Sequence, residues 1–206
     1  NLSAPALYQE AIRRNEGVVT AGGALTVATG IHTGRSPKDK FIVDTPSIHD
    51  HINWGNVNKP ISEENFDSLF KKVTSYLQGR DVFVQDCFAG ADPEYRLNVR
   101  VVTESAWPNL FAQNMFIRPS VEQKLGFLPD FTVIHVPGLR AAGATDGVNS
   151  ETFILVNFDR KMVLIGGSHY AGEIKKSIFG ILNYLLPDRD VLPMHCSANV
   201  GSNGDS

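Results

Sequence analysis

The clearest pattern of secondary structure lies in TFILVNFDRKMVLIGGSHYAGEIKKSIFGILNYLLP, residues 152 to 187. Two β-rich runs, 152–157 and 162–165, come first, and a glycine pair ends the second run. Apolar residues at helical spacing follow from about Ala171 to Leu186, where Pro187 closes the helix. This order predicts neighbouring strands with a helix packed on them.

The remaining sequence contains more strands than helices, and several strands come in adjacent pairs. Helices are predicted at 4–16, 62–79 and 104–116, and strands at 18–20, 24–28, 41–43, 82–88, 95–103 and 131–136. The predicted fold class is α/β with α+β-like character, a mixed β-sheet packed with helices. We find no internal repeat or interdomain linker, so one domain over residues 1–206 is expected.

Composition and charge exclude several classes of protein. Of the 206 residues 42% are hydrophobic, enough for a sizeable core, and the formal net charge of −3 gives no footprint for a nucleic-acid partner. No apolar run has the length of a membrane span, and no signal peptide is recognisable. We therefore expect no membrane partner and a cytoplasmic location. Cys87 and Cys196 are expected as reduced core residues.

The loop TGIHTGRSPKDK, residues 29–40, gathers three cations around Pro37. It is not a Walker A motif, because it is one residue short between its glycines and has Arg35 where the phosphate-binding lysine belongs. An arginine on a rigid loop suits bidentate recognition of a carboxylate or phosphate. The pattern is equally typical of a solvated basic turn.

Tyr170, Lys175 and Lys176 lie near the start of the last predicted helix. A helix N-terminus favours anions, so lysines there reduce helix stability and add to a positive pocket. This placement favours a functional interpretation. The two lysines are separated by about 100° of helical rotation and must point in different directions.

His195 stands in PMHCS, residues 193–197, which is predicted to begin a strand with His195 and Cys196 on opposite faces. It is a candidate ligand for a divalent metal or a phosphate, although a lone strand histidine is more often structural. His135, in FTVIHV, is expected to be a strand histidine with its hydrogen bonds satisfied. These patterns indicate an anion and metal pocket without defining a reaction.

Five segments together resemble the ATP-dependent phosphoenolpyruvate carboxykinases. They are TGRSPKDK (33–40), NMFIRP (114–119), YAGEIKK (170–176), NYLLP (183–187) and MHCSANVG (194–201). The likeness covers nearly the whole chain in the same order. It implies the fold of that family's N-terminal domain and conversion of oxaloacetate and ATP to phosphoenolpyruvate, CO2 and ADP, a gluconeogenic step.

The resemblance also implies roles for individual residues. Arg35, Lys175 and Lys176 correspond to catalytic residues, and Arg35, Tyr170, Lys175 and Lys176 to substrate-binding residues. Lys176 and His195 correspond to ligands of the catalytic Mn2+ and approach the ATP phosphates together with a P-loop; Mg2+ accompanies ATP. A lysine ligand must be neutral, so its pKa must fall well below about 10.4.

The family continues beyond the MHCSANVG run into a Walker A loop and a metal-binding aspartate, and it has glycine where this chain has Ala171. We therefore expect residues 1–206 to be an N-terminal, substrate-side domain without its C-terminal nucleotide-binding domain. Alone, it is expected to bind neither ATP nor metal tightly and to be inactive. The alternative is a stand-alone anion-binding or regulatory module without catalysis.

Overall fold

A computed structural model describes residues 1–204, and its main feature is a seven-stranded mixed sheet. The strands are β1 (Val18–Val19), β2 (Leu25–Thr26), β3 (Lys40–Val43), β4 (Lys59–Ile61), β5 (Phe83–Ala89), β6 (Leu97–Thr103), β7 (Phe131–Val136), β8 (Phe153–Asn157) and β9 (Met162–Gly166). The helices are α1 (Ala4–Arg13), α2 (Glu63–Leu77), α3 (Ala106–Met115), α4 (Val121–Lys124) and α5 (Gly172–Leu185).

The strand order of the main sheet is β4-β3-β8-β9-β7-β6-β5, and β1 and β2 form a separate hairpin. Four neighbouring pairs are parallel, whereas β8 with β9 and β5 with β6 are antiparallel. The mixed sheet expected from the sequence is confirmed. Its arrangement also places β8, which comes late in the chain, directly beside β3.

Alternating side chains of β8 build the core on both faces of the sheet. Phe153 and Leu155 pack with the apolar stripe of α2, whereas Ile154 and Val156 pack with α5 and α3. Both faces are therefore covered by helices, and all five residues of β8 are buried. This explains why the strand reads as a continuous apolar run.

Helix boundaries follow local chemistry. The Ser62 hydroxyl accepts from the Asn65 N–H and caps α2, and Pro108 is tolerated because it lies in the first turn of α3. The first helix ends at Arg13, earlier than the sequence pattern indicated, and Asn15 then adopts a left-handed conformation with φ of 56°. Asparagine tolerates this conformation better than most residues.

The expectations for His195 and Cys196 are wrong. Residues 193–197 form no strand, so the predicted alternation of His195 and Cys196 has no structural basis. Cys196 is exposed and is not a core residue, whereas Cys87 is buried and its burial raises the pKa of the thiol to about 12. None of the helices in residues 1–204 is long and apolar enough to span a membrane.

His135 is fully buried at the end of β7, and its ring is only half satisfied. Its Nε2–H donates to the Ser168 carbonyl oxygen at 2.9 Å, whereas Nδ1 has no hydrogen-bond partner within residues 1–204. Burial lowers the pKa of His135 to about 4, more than the Ser168 hydrogen bond raises it. The expected strand histidine is present, but its predicted full satisfaction is wrong.

We expect this histidine to make folding stability depend on pH. As pH falls below the ordinary pKa of 6.5, His135 becomes protonated in the unfolded chain but stays neutral in the folded chain until about pH 4. The contribution is therefore complete above pH 6.5 and is lost as pH falls towards 4. Between pH 7.5 and 5 the loss amounts to about 2 kcal/mol.

Urea unfolding of the chain and of His135→Gln at both pH values measures this effect, because the other titrating groups cancel in the difference. The stability gap between the two proteins should shrink by about 2 kcal/mol at pH 5. An equal gap at both values would show that His135 does not titrate as its burial implies.

Candidate functional site

The sheet topology brings together two segments that are far apart in sequence. Gly166, at the end of β9, pairs with Phe153 at the start of β8, and Ile154 pairs with Lys40 at the start of β3. The loop that leads into β3 and the turn that follows β9 therefore lie at the same end of these neighbouring strands. Arg35 lies in that loop, and the turn leads into α5.

The turn between β9 and α5 requires glycine at defined positions. Gly167 has a φ of 69°, and a Cβ added there would overlap the Glu151 carbonyl oxygen. A Cβ on Gly172 would overlap the ring of Tyr170. The half-buried tyrosine therefore lies against the first residue of the helix.

A cluster of cations forms where the loop and the helix meet. Partial burial lowers the pKa of Lys176, and the charges of Arg35 and Lys175 lower it further. Burial and Arg35 likewise lower the pKa of Lys40, against the opposing attraction of Glu173. The shared influence of Arg35 on both lysines means that these groups belong to one electrostatic site.

The two adjacent lysines of α5 point differently, as helix geometry requires. Lys175 is exposed, whereas the Lys176 amine lies 5.0 Å from the centre of the Phe179 ring. The His195 ring lies against the same phenylalanine, with 5.5 Å between ring centres. Phe179 thus brings the exposed His195 segment beside the lysine, without any strand.

Sequence reasoning counted Lys40 among the three cations of the loop without assigning it a role, and it missed Glu173 as a member of the site. Glu173 is only 2% exposed, and its Oε1 accepts from the Ser36 N–H at 2.5 Å. A signal was available, because Glu173 and Ser177 occupy helix positions on the same side as the apolar stripe. A buried carboxylate needs partners, and cations from the loop are the natural ones.

Two cavities adjoin this cluster, and both are lined by Lys40, Val57 and Asn58. One, of about 300 Å³, also borders Arg35, and the other, of about 390 Å³, extends along α5 to Tyr184. A larger cavity of about 670 Å³ follows the exposed side of α2 between residues 64 and 75. It contains none of the candidate residues. The chemistry of the side chains therefore favours the region between the loop and α5 as the functional site.

The arrangement can hold a small anion. It combines an exposed guanidinium, three lysines, a tyrosine and the N-terminal end of α5, a combination suited to carboxylate or phosphate groups. Residues 1–204 contain no group of three or more His, Cys, Asp or Glu side chains that could hold a metal ion. The fold and the site define an α/β protein with a cluster of cations beside the start of α5.

Comparison with known proteins names the family. The phosphoenolpyruvate carboxykinase family model for the ATP-dependent enzymes matches residues 1–206, and the chain belongs to this family. A phosphoenolpyruvate carboxykinase (ATP) of Geobacter sp. (strain M21) is 58% identical over 97% of the chain. The corresponding protein of Brevibacillus brevis is 58% identical, and one of Moorella thermoacetica 55% identical, each over 100% of the chain. The chain spans 38% to 39% of the length of these relatives.

Proposed function

We propose that this chain is the N-terminal, substrate-side part of an ATP-dependent phosphoenolpyruvate carboxykinase. The longer enzyme converts oxaloacetate and ATP to phosphoenolpyruvate, CO2 and ADP in gluconeogenesis. The observation that carries the proposal is the cation cluster of Arg35, Lys175 and Lys176, formed by two segments of a chain that matches the family throughout. We also propose a cytoplasmic location, since the substrates are small soluble metabolites.

Arg35 and Tyr170 are proposed to bind the substrate. The Arg35 guanidinium can grip a carboxylate of oxaloacetate through two parallel hydrogen bonds, which fixes its orientation. The half-buried Tyr170 offers a phenolic hydroxyl at the mouth of α5, and the exposed Lys175 adds a mobile positive charge. Together these groups could hold a dianionic substrate.

Loss of CO2 leaves negative charge on the enolate oxygen, which then attacks the γ-phosphoryl group of ATP. Arg35, Lys175 and Lys176 would stabilise that charge, and positioned cations carry most of the barrier reduction in such transfers. The electrons of the broken carbon–carbon bond form the enolate double bond, and the carbonyl π electrons move to the oxygen. That oxygen forms the new oxygen–phosphorus bond while the bond from the γ-phosphorus to the β–γ bridging oxygen breaks, and ADP leaves with those electrons. No side chain of this chain needs to form a covalent intermediate.

Lys176 and His195 are proposed to hold the catalytic divalent cation, Mn2+, and to approach the ATP phosphates. Their chemistry suits this role, because imidazole and a neutral amine are both nitrogen donors and the lowered pKa of Lys176 favours the neutral amine. Both side chains lie beside Phe179. The bound cation would polarise substrate oxygens and screen phosphate charge. Two ligands are an incomplete set, so other ligands must come from water, substrate or the longer protein.

The proposal requires the nucleotide-binding part of the longer enzyme, where Mg2+ would accompany ATP. The direct test is formation of phosphoenolpyruvate from oxaloacetate and ATP by the full-length protein. Calorimetry with phosphoenolpyruvate and the 206-residue chain alone should detect weak binding or none. Tight binding by the chain alone, with no product from the full-length protein, would instead support an anion-binding or regulatory module.

The metal role predicts a specific loss. In the full-length protein, His195→Gln should weaken Mn2+ binding by at least roughly tenfold to a hundredfold, measured by titration calorimetry, because loss of a direct nitrogen ligand should cost no less than loss of a residue that only orients a ligand. Cys196→Ser is the matched control, since it changes the neighbouring exposed residue. Equal Mn2+ affinity in the wild type and His195→Gln would remove this histidine from the metal site.

A further inference from the structure

Glu173 is a buried carboxylate that the proposed chemistry leaves unused. It lies in the first turn of α5, between Tyr170 and the two lysines, and is 2% exposed. Glutamate is rarely this buried without partners, because removing a charge from water is unfavourable. Its contacts therefore identify what it does.

The carboxylate of Glu173 accepts a hydrogen bond from the backbone of the Arg35 loop. Its Oε1 accepts from the Ser36 N–H at 2.5 Å, across 137 positions of sequence. The Arg35–Ser36 peptide is planar, so holding this N–H also fixes the plane that contains the Cα of Arg35. The same carboxylate attracts the amine of Lys40, the first residue of β3.

A second attachment holds the Ser36 side chain. The Thr152 hydroxyl donates to the Gly167 carbonyl oxygen at 3.1 Å, so His32 Nε2–H must donate to the Thr152 oxygen at 3.0 Å. A neutral His32 then accepts from the Ser36 hydroxyl through Nδ1 at 3.1 Å. The residue after Arg35 is thus fastened to α5 through its backbone and to the β9–α5 turn through its side chain.

We propose that Glu173 is a positioning residue: it ties the Arg35 loop to α5, so that the guanidinium faces Tyr170 and the helix lysines. The effect of Glu173 on catalysis rests on the proposed function, whereas its attachment of the loop to α5 does not. A carboxylate in a first turn also stabilises a helix through its dipole, and the experiment has to separate these roles. Glu64 provides the comparison, because it is an exposed glutamate in the first turn of α2.

The experiment compares Glu173→Ala, Glu173→Gln and Glu64→Ala in the full-length protein. Hydrogen–deuterium exchange, followed by mass spectrometry, reports on peptides covering residues 30–40. We expect Glu173→Ala to speed exchange there and to lower kcat/KM for oxaloacetate by roughly tenfold to a hundredfold, because the loop is misplaced. The KM for ATP should change less than twofold, since Arg35 contacts the other substrate.

Glu173→Gln keeps an oxygen that can accept from Ser36, so it should retain most of the wild-type exchange protection and activity. Glu64→Ala should match the wild type in both measurements. If the hydrogen–deuterium exchange of residues 30–40 is unchanged in Glu173→Ala, then Glu173 does not hold the loop. If exchange becomes faster but kcat/KM is unchanged, then holding the loop does not position Arg35 for the reaction. If Glu173→Ala fails to fold, the test passes to Glu173→Gln. Exchange of residues 30–40 in that variant as fast as in an unfolded peptide would show that Glu173 does not hold the loop.

A wild type that makes no phosphoenolpyruvate refutes the proposed function. The exchange measurement alone then shows whether Glu173 holds the loop.

Discussion

Replacing Arg35 by glutamine in the full-length protein is expected to lower kcat/KM for oxaloacetate by roughly 10²- to 10³-fold, the loss typical of one well-placed group that stabilises developing charge. Arg35 is exposed, and its charge lowers the pKa of both Lys40 and Lys176. Its removal therefore takes away the cation that interacts with both lysines. Steady-state assays of phosphoenolpyruvate formation measure the effect. The KM for ATP should remain close to that of the wild type.

Arg35→Lys separates charge from geometry. Lysine keeps the positive charge but lacks the planar fork for two parallel hydrogen bonds, so it should restore only part of the lost activity. Arg13→Gln is the control, because Arg13 lies on the surface of α1 and pairs with Glu10. Wild-type kinetics in Arg35→Gln would exclude Arg35 from the active site.

The second large effect is expected from Gly167→Ala, which should reduce the free energy of unfolding of the chain by roughly 2 to 5 kcal/mol. Gly167 has a φ of 69°, a conformation that disfavours alanine by roughly 1 to 2 kcal/mol. The added methyl would also overlap the Glu151 carbonyl oxygen, and overpacking adds roughly 1 to 3 kcal/mol. Urea unfolding followed by circular dichroism measures the loss.

Gly126→Ala is the matched control for this substitution. Gly126 has a similar φ of 72°, but a Cβ there meets no atom within 4 Å. Its replacement should therefore show the backbone strain alone, about 1 to 2 kcal/mol. Equal losses at the two positions would mean that the turn relaxes around the methyl group and that the close approach to Glu151 is unimportant.

The individual helices and strands could be predicted because their signals are local. Ser62 caps α2, and the apolar runs of β8 and β9 match the buried strands. The neighbours of β8 were not predictable in the same way. Its parallel pairing with β3 depends on side chains from distant helices that cover both faces, and no local pattern in the strand records that choice.

The candidate site was predicted in part. Arg35, Tyr170 and Lys176 were identified from the resemblance and from their residue types. The structure brings the Arg35 loop next to the start of α5; Lys176 lies in this helix and Tyr170 just before it. Their catalytic roles remain predictions. The strand expected around His195 is absent, because a β-prone run becomes a strand only when another strand pairs with it, and most of residues 188–204 are exposed.

The pairing of Lys40 in β3 with Ile154 in β8 has a consequence for biosynthesis. A ribosome adding about 5 to 20 residues per second needs roughly 6 to 23 s to make the chain between these two residues. During that interval the strand Lys40–Val43 and its neighbour β4 have emerged, but β8, its neighbour on the other side, has not been made. The nascent chain must therefore shield this edge until β8 arrives, and a chaperone that binds short apolar segments would have its longest opportunity there.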